Sequence, residues 1–343
     1  MNKIKVFNKL FPWLNILSPL VDILIGIYVY NSYSGERQIF NYLGLLYVAY
    51  IVYRFGRALL KVSGSKDRAR SYMADNRVIA MDGPQRRGKT SLAGYFGLCS
   101  GGDVFGNVPM KIRGKYTYQL TTEMLTCQYQ LPQYSFLHID ECNLFYHNLK
   151  DQKKFDSLIF GQAALEQCIG HFTDGNMVYS STDVFRLPKQ IRDNFSSHLQ
   201  VLGQESYQFS YIGSALIKII SKFFGVRRCF TGLRCWTAQH FEKISDDGYT
   251  YDLSSNTVDD KDKRYADMLQ FAMFQSPNTF EYDDRYMRAF YDKLRIPHYE
   301  RWKKLALDME DFSLLYDSEI LKYFKSIYSS QVANTPSEIK ESV

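Results

Sequence analysis

Cysteine is scarce in this chain and is not arranged for metal or redox chemistry. The six cysteines, at 99, 127, 142, 168, 229 and 235, form no C-x-x-C pair and no Cys/His group at zinc spacing. That excludes a zinc module or a dithiol motif. It leaves structural thiols, which a cytoplasmic domain keeps reduced. No internal repeat is present. Net charge is nearly absent from most of the chain. Of the total of +6, residues 1–70 supply +7 (ten Lys/Arg against three acids), which leaves −1 for residues 71–343. Bare DNA as the main partner would call for a basic channel, and the neutral composition of residues 71–343 argues against it in that role. Direct DNA contact stays open, although charge does not indicate it.

Apolar and aromatic residues are present in quantity: 45% of the chain is hydrophobic, and it holds 27 Tyr and 24 Phe. Two apolar segments explain where the basic residues lie. Residues 10–30 (LFPWLNILSPLVDILIGIYVY) and 39–53 (IFNYLGLLYVAYIVY, continuing past Arg54 to Leu60) are each near the ~20 residues a spanning helix needs. The second contains no acid, whereas the first carries Asn15, Asp22, Pro12 and Pro19. No small-x-small cleavage site follows the first, and a second segment comes at once, so a signal peptide is a poor description. A hairpin of two membrane spans is expected.

Flanking charge sets its orientation. Lys3, Lys5 and Lys9 precede the first segment, and Arg54, Arg57, Lys61, Lys66, Arg68 and Arg70 follow the second. Positive residues stay inside, so both termini are expected in the cytoplasm and the protein in the inner, cytoplasmic membrane as a multi-pass chain. Asp22 is costly in lipid unless it faces protein or water. It is expected to be a helix-packing polar residue, the alternative being an ion pathway.

Residues 64–76 (GSKDRARSYMADN) are polar and fit a linker. Strand-like stretches follow at 77–81, 104–108, 117–120, 134–139, 176–180 and around 199–202, with helical patterns between them, notably 90–98 and 149–168. Strands separated by helices predict an α/β layer fold with a mainly parallel sheet. Residues 211–226 are apolar but short, with Lys218 and Lys222 on one helical face. They suit either a half-buried helix or one lying against a membrane or a partner. Residues 245–264 are polar, 282–328 have helical aromatic spacing, and 331–343 are expected to be disordered.

The stretch GPQRRGKTS, comprising Gly83, Pro84, Gln85, Arg86, Arg87, Gly88, Lys89, Thr90 and Ser91, fits G-x-x-x-x-G-K-[ST] between a strand and a helix. In that context its backbone N–H groups wrap a phosphate chain. Lys89 then reaches the β/γ-phosphates, and Thr90 offers a hydroxyl to Mg2+. The apolar strand ending in Asp140-Glu141 supplies the complement. Asp140 is the strand-end carboxylate for the Mg2+ shell, and Glu141 is placed to polarise an attacking water. ATP and Mg2+ are the expected cofactors.

Three further sites are less determined. Thr182, just past the strand at 176–180, suits a γ-phosphate sensor or a simple strand-end cap. Arg192 suits an arginine finger toward a neighbouring subunit or a surface salt bridge. Arg86 and Arg87 suit added phosphate charge or a subunit contact.

These elements together resemble the zonula-occludens-toxin-like proteins, which include the assembly ATPases of filamentous phages. The resemblance runs over residues 75–205. It rests on the GPQRRGKT loop, Val104-Phe-Gly-Asn-Val-Pro109, the strand ending in Asp140-Glu141, and the third strand with its downstream Leu-Pro-Lys-Gln-Ile-Arg192. It differs in having the apolar segments ahead of the nucleotide motif, Thr182-Asp183 after the third strand, and no arginine in 166–171.

The resemblance implies a P-loop NTPase of the branch containing the DNA-pumping motors, assembled as a homo-oligomeric ring. Its partners would be phage coat or assembly proteins or a nucleoprotein cargo. The expected organisation is a transmembrane hairpin over 1–63, a linker over 64–76 and a P-loop NTPase core over 77–210. An α-rich completion over 211–330 and a tail over 331–343 follow. The expected function is a membrane-anchored ATPase that drives assembly and extrusion of filamentous virions or nucleoprotein. The alternatives are a DNA-translocating or conjugative coupling ATPase and a non-hydrolysing, nucleotide-gated membrane scaffold.

Overall fold

A computed structural model of the chain describes residues 3–32, 38–107, 110–112, 115, 117–120, 125, 131–142, 152–225, 231–242, 267–274 and 280–282. The chain divides into two compact units. One comprises Met1–Ala69, Gly203–Thr237 and Leu269–Thr279; the other comprises Arg70–Leu202, Ala238–Met268 and Phe280–Val343. The fold is mixed α/β with a mostly parallel central sheet. The expectations for residues 245–264 and for the tail at 331–343 lie outside the described residues, as does the helical region over 282–328 except for Tyr282, which ends a strand.

Short apolar strands build the second unit. β1 (Val78–Asp82), β2 (Val104–Gly106), β5 (Phe136–Asp140) and β6 (Asn176–Ser180) are buried along their whole length. Burial on both faces is the property of a strand inside a parallel sheet. β4 (Thr117–Gln119) is the neighbour of β2. With β7 (Ser197–Tyr207), β8 (Leu233–Glu242) and β9 (Asp267–Phe274), the sheet has the order β4-β2-β5-β6-β1-β7-β8-β9. Every pairing from β4 through β7 is parallel. β3 (Met110–Ile112) and β10 (Phe280–Tyr282) form a separate antiparallel pair.

Alternate residues of these strands divide between two covers. Val78, Ala80, Phe105, Leu137, Ile139, Met177 and Tyr179 join Ile159, Leu165 and Ile169 of a long helix in one core cluster. On the other face the helix that follows β1 approaches closely. A Cβ on its Gly97 would stand 3.3 Å from Phe136 and Val104. The parallel register brings Met81, Asp140 and Ser180 level at one edge. Loops leaving the C-terminal ends of neighbouring parallel strands therefore converge there.

Helix α3 (Ser65–Asp75) occupies the segment expected to be a polar linker. Its sequence hides an apolar stripe of Ala69, Tyr72 and Met73, all buried, at the i, i+3, i+4 spacing of one helical face. Tyr72 hydrogen-bonds Ser197 at 2.9 Å and His240 at 3.1 Å. Packing made the segment a helix.

The first unit is organised by two long helices, α1 (Lys3–Ser32) and α2 (Gln38–Val62). Both are long and apolar enough to cross a membrane, and they expose large apolar side chains such as Trp13, Leu24, Tyr42 and Leu46. They meet at Gly26 and Gly44: a Cβ on Gly44 would lie 2.7 Å from the Gly26 carbonyl oxygen. Small residues at such a crossing let two helix backbones touch. Arg54 of α2 donates to the Gln208 carbonyl and to the Tyr211 hydroxyl, with its guanidinium over the Tyr207 ring. Phe55, Ala58, Phe209, Leu233 and Phe274 form a small core beside it.

Asp22, expected to be a helix-packing residue, is fully buried and accepts from three backbone N–H groups. These belong to Tyr211 (2.7 Å), Ile212 (3.3 Å) and Gly213 (2.7 Å), with the Tyr47 hydroxyl as a fourth donor (2.8 Å).

Candidate functional site

β1 ends at Asp82, and the chain turns at once through residues 83–88 into helix α4 (Lys89–Cys99). Gly83 has φ 136° and Gly88 φ 94°, values that L side chains rarely adopt. A Cβ on Gly83 would also lie 2.5 Å from the Val201 carbonyl oxygen. Arg86 shares the left-handed region at φ 63°, so the loop is tightly curled. Gly88 has no side chain to cap the first turn of α4. That leaves the positive end of the helix for an anion.

Lys89 folds back into this turn. Its ammonium donates to the carbonyls of Gly83 (2.8 Å) and Pro84 (3.1 Å) and is buried. Burial pushes its pKa down, opposed by Glu141, Asp140 and Asp82. Pro84, Gln85, Arg86 and Arg87 are exposed on the outside of the loop, and Ser91 is buried in α4.

The acids arrive from β5. Thr90 Oγ1 donates to Asp140 Oδ2 at 2.8 Å across a separation of 50 residues. Asp140 Oδ1 accepts from Ser180 Oγ (2.5 Å) and from the Glu141 N–H (3.1 Å). The Asn107 side chain brackets the Asp140 backbone, donating to its carbonyl and accepting from its N–H, each at 2.8 Å. Glu141 turns out of the strand at φ 48°. Burial, and then Asp140, raise its pKa, against the lowering by Lys89.

Behind the carboxylate lies a relay. Ser180 gives its proton to Asp140 and so accepts from His138 Nε2 at 2.8 Å. That makes His138 the Nε2–H tautomer. Its Nδ1 finds no partner among the described residues, and burial lowers its pKa, so the ring is neutral. Beside the loop, His198 Nε2 stands 3.0 Å from Asp82 Oδ1, both buried.

The structure thus brings Lys89, Thr90, Asp140 and Glu141 together. Thr182 is exposed, two residues beyond the end of β6. Arg192 is half-buried at the end of α6 (Lys189–Arg192), a short helix preceded by α5 (Gln152–Phe172). Ser180, His138 and the Asp82–His198 pair join the site without belonging to either sequence motif. For His138 and Ser180 the signal is alternation: they and Asp140 occupy the positions of β5 and β6 that alternate with the core residues Leu137, Ile139, Met177 and Tyr179.

Among the described residues, no three His, Cys, Asp or Glu side chains cluster as a metal cage. One carboxylate with one hydroxyl suits Mg2+, which keeps its waters and takes remaining ligands from substrate phosphates. The donor set fits.

No protein-family model matches the chain, and no curated protein matches it. Among solved structures, one match is the N-terminal domain of zonular occludens toxin from Neisseria meningitidis. It has 11% identity and a TM-score of 0.31, covering 58% of this chain and 94% of that one.

Proposed function

We propose that the chain is a membrane-anchored P-loop ATPase that uses ATP hydrolysis to drive assembly and export of filamentous virions or another nucleoprotein. The observation that carries the nucleotide reading is the Thr90–Asp140 hydrogen bond. A loop hydroxyl and a strand-end carboxylate meet beside a buried lysine, and a phosphate-bound divalent cation needs that pair. Thr90 and Asp140 would hold Mg2+, which supplies charge neutralisation at the β- and γ-phosphate oxygens. Lys89 exchanges its two carbonyl partners for phosphate oxygens. The backbone of residues 84–88 binds the phosphate chain, and Glu141 orients the attacking water.

Anchoring rests on α1 and α2, which expose large apolar side chains from Leu10 to Tyr30 and from Ile39 to Leu60. Positive-inside charge puts both termini in the cytoplasm. The virion or nucleoprotein cargo rests on the sequence resemblance over residues 75–205. So does assembly into a ring, for which Arg192 is a candidate arginine finger toward a neighbour, the alternative being a surface salt bridge.

ATP turnover by the full-length protein in detergent, with and without Mg2+, tests the reading. Wild type should hydrolyse ATP only with Mg2+, and Lys89→Ala should lose about a hundredfold or more of that rate. Equal rates in the two proteins would remove the nucleotide site from residues 83–91.

A further inference from the structure

Helix α7 (Ile212–Phe223) carries three distinct faces. Gly213, Ser214, Ile217 and Ser221 are buried. Lys218 and Lys222 lie on a second face. Ile212, Leu216, Ile219 and Phe223 form a third, all of them exposed, with Phe223 at 78%. Their 4, 3, 4 spacing makes one narrow stripe along the helix. Four large apolar side chains in a line on open surface call for a cover.

The contacts of α7 say at what depth that cover lies. Its start is held by Asp22 of α1 through the N–H groups of Tyr211, Ile212 and Gly213. Its end meets the start of α1, where the Phe224 and Phe7 rings are 5.5 Å apart. Between these points Ile217 packs with Phe7 and Phe11. A Cβ on Gly213 would clash with the Ser18 carbonyl, so the two backbones touch. α7 therefore runs antiparallel to α1 from Ser18–Asp22 back to Phe7, so most of it lies along the apolar segment that begins at residue 10 and its last turn reaches the basic start of α1.

Two difficulties of an apolar medium cancel in this arrangement. An acid in the middle of a membrane-crossing helix is costly without a partner. So are the unpaired N–H groups at a helix start. Asp22 and the first turn of α7 satisfy each other. In water neither group would need the other, since solvent would serve both.

We infer that α7 is a third lipid-contacting helix. Ile212, Leu216, Ile219 and Phe223 face the acyl chains of the leaflet entered by the first half of α1. Lys218 and Lys222 reach along the helix to anionic headgroups. The inference rests on the reading of α1 and α2 as membrane spans and extends it to a segment too short to span.

The test uses full-length protein in vesicles of phosphatidylcholine and phosphatidylglycerol, with or without bromine on the acyl chains. A fluorescent amino acid replaces Ile219 or Phe223 in two variants. It replaces Leu24, exposed on α1, in a third and Asp156, exposed on α5, in a fourth. Brominated lipid should cut emission at 219 and 223 to an extent comparable with 24, and leave 156 unchanged. Quenching at 24 with none at 219 and 223 would overturn the inference while sparing the hairpin. Blue-shifted but unquenched emission at 219 and 223 would give the stripe to a protein partner or a second copy, and would also overturn it. No quenching at 24 would sink the hairpin reading itself, and this inference with it.

Discussion

Ser180 donates to Asp140 Oδ1 over 2.5 Å, from the strand next to the one that carries the acid. Because the Thr90 hydroxyl occupies the other carboxylate oxygen, the plane of the Asp140 carboxylate is fixed from both sides. The parallel register that makes Asp140 and Ser180 direct neighbours sets this geometry. His138, two residues before Asp140 on the same face of β5, fixes the serine in turn.

Ser180→Ala should therefore change how Asp140 serves a cation more than whether the protein folds. Loss of such a supporting hydrogen bond typically weakens metal binding by about 10–100-fold. The half-point of a Mg2+ titration of turnover should rise accordingly. Stability should fall by about 1–3 kcal/mol, because His138 Nε2 is left buried without its partner. A stability loss with an unmoved Mg2+ half-point would mean that Ser180 only fills space.

Glu141→Gln should keep nucleotide binding and lose turnover, since an amide does not accept the proton of water. A bound-ATP complex should accumulate, detectable as retained radiolabel after rapid gel filtration. Burial and Asp140 raise the pKa of Glu141, and a general base works only when ionised. The acid limb of the wild-type rate should thus lie above the ordinary glutamate value near 4.5. Normal hydrolysis by Glu141→Gln would put the activation of water elsewhere.

Much of this site was legible from residues alone because its parts are contiguous in sequence. The loop at 83–91 and the Asp140-Glu141 pair each declare themselves within a few positions. Ser180 did not, since its role depends on which strand lies beside β5, and one sequence contains no register. Thr182, two residues further on, has the more conspicuous sequence position and is exposed. Strand β8 carries little signal for a different reason. Its buried positions 236, 238 and 240 are Trp, Ala and His, and Phe241 is buried out of phase with them, so the apolar alternation is short and broken. Helix α3 looked like a linker because only three of its residues are apolar and packed.

Glu166 offers a pH-dependent readout of the sheet's other face. It is buried, accepts from the Tyr179 hydroxyl, and accepts from Asn194 at 3.0 Å. Burial nevertheless pushes its pKa up to about 8 from an ordinary 4.5. The folded protein then holds a proton that the unfolded chain has released. Stability is fully present below about pH 4.5 and falls as pH rises toward 8, above which the loss levels off. Melting temperatures of the wild type in detergent should fall across that window. Those of Glu166→Gln, which has nothing to ionise, should change less. Parallel profiles would mean that Glu166 is ionised in the fold.

Asp22 makes the sharpest demand on the first unit. Removing residues 1–60 would also strip Phe55 and Ala58 from Phe209 and Leu233, so a point substitution is the cleaner probe. Asp22→Ala leaves three N–H groups at the start of α7 without their acceptor, in a place from which solvent is excluded. Each such group costs about 1–3 kcal/mol, so the first turn of α7 should unwind rather than keep all three unpaired. Asp22→Asn retains an amide oxygen for the same N–H groups. It loses only the charge that favours a helix start, worth about 0.3–1 kcal/mol on an exposed surface and up to about 2 when partly buried. Limited proteolysis in detergent should therefore cut Asp22→Ala near residues 208–213 well before wild type, with Asp22→Asn between them. Equal cleavage rates in all three would show that α7 holds its place without Asp22, and the mutual capping described above would lose its energetic meaning.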